Sequence, residues 1–363
     1  MSQPRAPFNS EMDKVIDFLN HSLRSSEGWS ITAEYPLAFD PSNLHNIRII
    51  EENGQIISHA VLKNLLIKTP IAIFRVAAIG NVVTAPEFRN KGYSQKVIKD
   101  CLQIATEQGA DIAILWTNIY DFYRKFGFEL AGSETALIFN QPFDTEVKGL
   151  KYLQSNKVDP QSILRLYSQH AVGSIRNAAD ISRYLQIPKV QLYTAWDQNN
   201  QLQAYAVEGR GADLTNYIHE WGGSVSKLLA LVSEIQKQKN DSITIITPSH
   251  SANLIRKAKE KGALVNEGYL GMIKLLNTKN LFFKIRRYAR FLGQEDFILE
   301  HNEHDYIVGH SGHIFRTTSE KDITQLIFGP HKATQLQSFD IETTQILEKI
   351  FPIPMWLWGW DSV

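Results

Sequence analysis

Val82-Val83-Thr84-Ala85-Pro86-Glu87-Phe88-Arg89-Asn90-Lys91-Gly92-Tyr93-Ser94 is the stretch on which the fold turns. It reads as an apolar strand, a short turn after Pro86, and an Arg-x-x-Gly-x-Ser run that opens a helix. Beyond it, Val97, Ile98, Cys101, Leu102 and Ala105 recur at helical spacing until Gly109 ends the pattern. Amides at the start of such a helix have no intrahelical acceptor, and the helix dipole lies behind them. A turn of this kind therefore binds phosphate oxygens, and Gly92 allows close backbone approach to the ligand. Arg89 and Lys91 add positive charge.

Working outward, residues 47–63 read as a hairpin: alternating residues from Ile47, an Asn53-Gly54 turn, and a return from Gln55 to Lys63. Ile71 to Thr84 is a β-rich stretch. Downstream, Ala110 to Trp116 has the length of a buried strand, and Tyr120 to Phe126 is a short helix stopped by Gly127. The order is hairpin, strand, helix, strand, helix, strand. That is an α/β domain on a mixed α+β sheet, expected to close near Asn140.

The same order recurs. Strands Val190 to Trp196 and Leu202 to Glu208 flank a polar turn, and Asn216 to Trp221 leads into a helix with Leu228, Leu229, Val232 and Ile235 on one face. Strand Ile243 to Thr247, a short helix ended by Lys261-Gly262, and strand Tyr269 to Leu275 follow. The halves match in order of elements, not in residue identity. From Leu281 the texture changes to a basic amphipathic start, strands around Tyr306 to Arg316, and a helix Asp322 to Phe328 that Ser319 can cap. The expected segments are 1–145, 146–279 and a small α+β unit over 280–363, packed without a low-complexity linker.

The 363 residues carry 38 Lys+Arg against 38 Asp+Glu, so no net charge draws the chain to nucleic acid or an anionic membrane. One cysteine closes no intrachain disulfide, and no signal-peptide block opens the sequence, so a cytoplasmic location is expected. The apolar stretch Ile71 to Ala85 and the proline-broken tail Phe351 to Trp360 are too short to span a bilayer. Cys101 sits in the apolar helix stripe and reads as core. His301, His304, His310 and His313 lack cysteine support for a metal site, and Lys284 to Arg290 reads as the solvated face of a helix; neither metal nor nucleic acid is expected.

A second motif, Asn118-Ile119-Tyr120-Asp121-Phe122-Tyr123-Arg124-Lys125-Phe126-Gly127-Phe128, follows a buried strand. Together, residues 79–128 resemble the GNAT family of acyl-CoA-dependent N-acyltransferases; Ser94 stands where the family often has Gly or Ala. The resemblance implies that the pyrophosphate of coenzyme A rests on the amides of Arg89, Asn90, Lys91, Gly92, Tyr93 and Ser94. The same resemblance implies that the pantetheine arm runs along Val82-Val83-Thr84, with Asn118 and Ile119 on its other side and an N–H near Val83 facing the thioester oxygen. Tyr123 takes the family's proton-donor position.

A proton acceptor is harder to find, because the strand before the turn offers Asn81 where many members place a carboxylate nearby. The tail Met355 to Val363 carries Trp356, Trp358 and Trp360 at period-2 spacing, an extended segment with one aromatic face that is expected to dock. The three-part layout resembles the enhanced-intracellular-survival branch: tandem GNAT domains, the second degenerate, followed by a sterol-carrier-like C-terminal domain. In that branch the terminal carboxylate is the base, which here implies Val363. The second unit joins strand to helix directly through Trp221-Gly222-Gly223-Ser224, so it lacks the phosphate loop. The implied activity is direct acetyl transfer from acetyl-CoA to a primary amine of a small molecule or a lysine side chain. The competing reading is a non-catalytic acyl-CoA sensor or scaffold. The branch forms ring-like oligomers, which leaves a homo-oligomer open here.

Overall fold

Asn53 and Gly54 both hold positive φ (53° and 79°), and this two-residue turn folds the second strand of the hairpin back on the first. The computed structural model describes residues 2–145, 147–336 and 338–363; Met1 and Glu146, where the first two expected segments begin, lie outside the described residues. Helices α1 (Met12–Leu23) and α2 (Ile31–Glu34) precede the hairpin of β1 (Ile47–Glu52) and β2 (Gln55–Lys68). The chain continues through β3 (Ile73–Thr84), α3 (Tyr93–Glu107), β4 (Ile112–Leu115), α4 (Tyr120–Arg124) and β5 (Glu129–Ala131). The apolar stripe of α3, Val97, Ile98, Cys101 and Ala105, is buried together with Ala77, Ile79 and Ala113 of the sheet.

After β6 (Glu134–Phe139) come β7 (Lys151–Gln154), α5 (Pro160–Tyr167), β8 (Gly173–Ser174) and α6 (Ala178–Tyr184). Strands β9 (Gln191–Trp196), β10 (Leu202–Arg210) and β11 (Asp213–Gly223) lead to α7 (Val225–Lys239), β12 (Ile243–Pro248), α8 (Ala252–Glu260), β13 (Leu264–Gly268) and β14 (Gly271–Leu275). The remainder is α9 (Thr278–Phe291), the three-stranded sheet β15 (Ile298–His301), β16 (Tyr306–His310) and β17 (His313–Thr317), then α10 (Glu320–Phe328), α11 (Ala333–Leu336) and α12 (Ile341–Ile350).

The two large sheets exchange strands. The first runs β1-β2-β3-β4-β14-β5 with β8 on β2, and the second runs β13-β6-β12-β11-β10-β9-β7. The first sheet therefore does not close on the strand ending near Asn140. β6 leaves it to lie between β12 and β13, and β14 returns from the second half to lie between β4 and β5. Segment 1–145 thus contributes β6 to the second sheet, and segment 146–279 contributes β14 and the short β8 to the first. The two crossings touch: a Cβ on Gly132, whose φ is +72°, would lie 2.6 Å from the Cβ of Leu270. A buried apolar strand carries no label for the sheet it joins, and β13, largely exposed, shows no alternation at all.

The tail docks as its aromatic spacing requires, with Trp356, Trp358 and Trp360 at 2%, 1% and 0% exposure. They do not share one face. Residues Gly359–Asp361 form a 3₁₀ turn, so Trp358 packs between His170 and Trp221 while Trp360 stacks on Tyr184 in a separate cluster. The Lys284 to Arg290 run lies on α9, which buries Ile285 and Ala289 and sends Lys284 to Asp111 at 2.6 Å. No helix among the described residues is long and apolar enough to cross a membrane.

Candidate active site

Strand β3 pairs in parallel with β4 only from Val76 to Ala78, then continues alone to Thr84. On its other side the register with β2 shifts between His59 and Val61, and Asn81 takes φ +50°. Buried His59 holds this bulge by donating from Nδ1 to the Asn81 carbonyl at 2.8 Å; burial pushes its pKa down to about 4, so the ring is neutral. The β4-facing edge of Ile79 to Thr84 is left without a strand partner among the described residues.

That open edge forms one wall of a cleft of about 530 Å³. Val82, Val83 and Thr84 line it from β3; Arg89, Asn90, Gly92, Tyr93 and Ser94 line it from the turn and the start of α3; Ile119 and Tyr123 face them. Gly92 caps α3 at φ +80°, and a Cβ there would meet nothing within 4 Å. With no side chain at the cap, the N–H groups of Asn90 to Gln95 find no acceptor among the described residues. Five of these residues, Asn90, Gly92, Tyr93, Ser94 and Gln95, line the cleft, so free amides at a helix N-terminus border one open space, the arrangement that binds phosphate. Lys91 does not line the cleft, its Nζ lying 5.1 Å from the Phe88 ring centroid, and Asn118 is also outside the lining.

Tyr123 is held edge-on by Phe122 and Phe128, with ring centroids 5.0 and 6.1 Å away. Burial pushes its phenol up to about 12, so it remains protonated throughout the neutral range.

Val363 reaches β3 itself. A Cβ built on Gly80 would lie 2.3 Å from the Val363 carbonyl oxygen and 2.4 Å from its carbon, so only glycine leaves room for it. Residues with no motif signature hold the tail there. Arg176, 2% exposed, bridges Glu220 at 2.8 Å and Asp361 at 2.7 Å, and Ser174 Oγ donates to Asp361 at 2.7 Å. Arg210 Nη2 donates to the Ser362 carbonyl at 2.8 Å, and Lys63 Nζ lies 3.5 Å from the Asp361 carbonyl. Burial pulls Lys63 down to about 8.

Val363 also borders a second cavity of about 390 Å³, which reaches Trp116 beyond β4 and Glu134 on β6. The Glu134 side chain makes no hydrogen bond or ion pair among the described residues, and burial pushes its pKa up to about 7. Sequence reasoning found no carboxylate near Asn81. This one arrives on the exchanged strand, outside any motif.

Residues 3–131 match the family model described as an acetyltransferase (GNAT) domain. The sequence matches none of the curated proteins. Among solved structures, a GCN5-related N-acetyltransferase from Anabaena variabilis is 18% identical with a TM-score of 0.71, each chain covered over 100% of its length. A GCN5-related N-acetyltransferase from Kribbella flavida is 14% identical at TM-score 0.65, covering 98% of this chain and 97% of its own. Eis1 from Mycobacterium abscessus is 11% identical at TM-score 0.63, with 100% of each chain covered. Residues 3–131 therefore resemble an acetyltransferase (GNAT) domain, and the chain shares the fold of these solved structures along its whole length.

Proposed function

We propose that the chain is an N-acetyltransferase that moves an acetyl group directly from acetyl-CoA to a primary amine. The observation that carries this reading is the single cleft joining three features: an unpaired β3 edge, the unsatisfied amides of Asn90 to Gln95, and the Tyr123 phenol. Acetyl-CoA supplies an activated acyl group as a thioester. The amides from Asn90 to Ser94 hold its diphosphate, the Arg89 N–H being spent on the Pro86 carbonyl at 3.2 Å, and the edge Val82 to Thr84 hydrogen-bonds its extended arm as an added strand would. A β3 N–H near Val83 polarises the acyl carbonyl.

As the nitrogen–carbon bond forms and the carbon–sulfur bond breaks, Tyr123 gives its phenolic proton to sulfur. The Val363 carboxylate, seated at Gly80, takes a proton from the amine. What supports placing this base at the tail is the seat that Gly80 leaves for Val363 on β3, held by the clamps on Asp361 and Ser362. The segments 1–145, 146–279 and 280–363 are the corresponding proposed domains, the last a sterol-carrier-like unit built on the three-stranded sheet. The test is calorimetry with acetyl-CoA followed by thiol release with a panel of amines. Binding with steady release supports transfer, binding without release on any amine identifies an acyl-CoA sensor, and no binding overturns the reading.

A further inference from the structure

The cavity beside Val363 has a lining of definite chemistry. Its charged side chains are carboxylates, Glu134 and Asp213, and among the described residues no lysine or arginine lines it. Asp213 already accepts from the Tyr35 hydroxyl and lies 3.8 Å from the Arg24 guanidinium. Glu134 has no such partner among the described residues, so beside the terminal carboxylate of Val363 it is the side-chain carboxylate left to receive a cation.

The walls are apolar. Trp116, Trp356 and Trp358 contribute aromatic surface, and Leu214, Ile246 and Leu270 complete it. Trp116 Nε1 is committed to the Leu270 carbonyl at 2.7 Å and Trp358 Nε1 to the Val172 carbonyl at 3.1 Å, so neither indole N–H is free for a ligand. Two buried nitrogens do lack partners: Trp356 Nε1 and His219 Nδ1. His219 donates from Nε2 to the Gly209 carbonyl at 2.9 Å, which leaves Nδ1 as a bare acceptor. A Cβ at Gly359 would fall 2.0 Å from that nitrogen, so the glycine backbone packs against it and leaves it no open surface for a ligand.

We propose that this cavity takes a primary amine carried on an apolar, aromatic body, with the Glu134 carboxylate receiving its ammonium end. The proposal rests on the acetyltransferase reading, because Val363, the base assigned there, lines the same cavity as Glu134. A volume of about 390 Å³ admits an aryl-alkyl amine with room to spare. A polyhydroxylated amine would need a partner for every buried hydroxyl, and two unpaired nitrogens cannot supply them. Desolvation strengthens the ammonium's attraction both to the carboxylate and to the indole faces.

Three probes, titrated by tryptophan fluorescence into the full chain saturated with coenzyme A, test the proposal: phenethylamine, 2-phenylethanol and spermidine. The first two share a body and differ in the ammonium; the third has the charge without the body. Phenethylamine is expected to bind about ten- to a hundred-fold more tightly than either, the range of one charge-assisted hydrogen bond. Glu134→Gln should remove that advantage and leave 2-phenylethanol unchanged; should this variant not fold, the three-probe comparison in the natural chain decides alone. Equal binding of phenethylamine and 2-phenylethanol, tighter spermidine, or an unaffected Gln variant overturns the inference. Phenethylamine binding without thiol release refutes acetyl transfer but not the cavity's chemistry. Release with spermidine and none with phenethylamine does the reverse.

Discussion

Replacing Gly80 by alanine puts a methyl group where the end of the chain now lies. The added Cβ would be 2.3 Å from the Val363 oxygen, 2.4 Å from its carbon and 3.0 Å from Cγ2. Gly80 does not hold a positive φ, so alanine meets no backbone penalty and the contact alone is perturbed. Restoring an ordinary contact of about 3.4 Å requires Val363 to retreat by about 1 Å. The preceding residues cannot share that movement, because Asp361 is clamped by Arg176 and Ser362 by Arg210. A misplacement of about 1 Å in a reacting group costs on the order of a hundred-fold in rate. The expected result is a kcat lower by about that factor with acetyl-CoA affinity changed by less than about two-fold. Initial rates of thiol release and calorimetric binding measure the two quantities. A Gly80→Ala protein that keeps its kcat to within about three-fold would refute the role assigned to Val363.

Tyr123→Phe should lower kcat by about 10²- to 10⁴-fold without weakening acetyl-CoA binding, as expected for loss of a general acid. Because burial lifts this phenol to about 12, the natural enzyme's kcat should show no loss of the acid form up to pH 10, and a fall between pH 8 and 10 would argue against Tyr123. Glu134 has a folded pKa raised to about 7 from its ordinary 4.5, so the native state binds its proton more tightly than the unfolded chain does. The stability from that proton is complete below pH 4.5 and is lost as pH rises through 7. Glu134→Gln should therefore match the natural protein's Tm near pH 4 and exceed it at pH 8, and a Tm difference constant with pH would contradict this. Arg176→Met leaves Glu220 and Asp361 buried without their cation, which should cost about 3–5 kcal/mol in urea unfolding; a loss under about 1 kcal/mol would show that the tail is held by its tryptophans alone.

Much of the local structure follows from contiguous residues. Asn53-Gly54 can form only a tight hairpin turn, the stripe from Val97 to Ala105 can bury only one helix face, and Gly92 ahead of that stripe sets free amides at a helix start. Three tryptophans on a short tail require burial, since exposing that much apolar surface to water is unfavourable. Charges and carbonyls distant in sequence are another matter. Nothing around Glu134 marks it as facing Trp116, because its strand crosses to the second sheet, and hydrophobic alternation specifies a buried face but not the neighbour that buries it. Arg176 looks like any loop arginine until β11 and the 3₁₀ turn bring Glu220 and Asp361 to it. Gly80 likewise reads as a weak point in a strand, and only the folded chain reveals that its missing Cβ is the space Val363 fills. Local backbone chemistry is written in neighbouring residues. The meeting of the tail, the exchanged strand and the bulge of β3 depends on packing among segments that share no local pattern, and only the tertiary structure decides it.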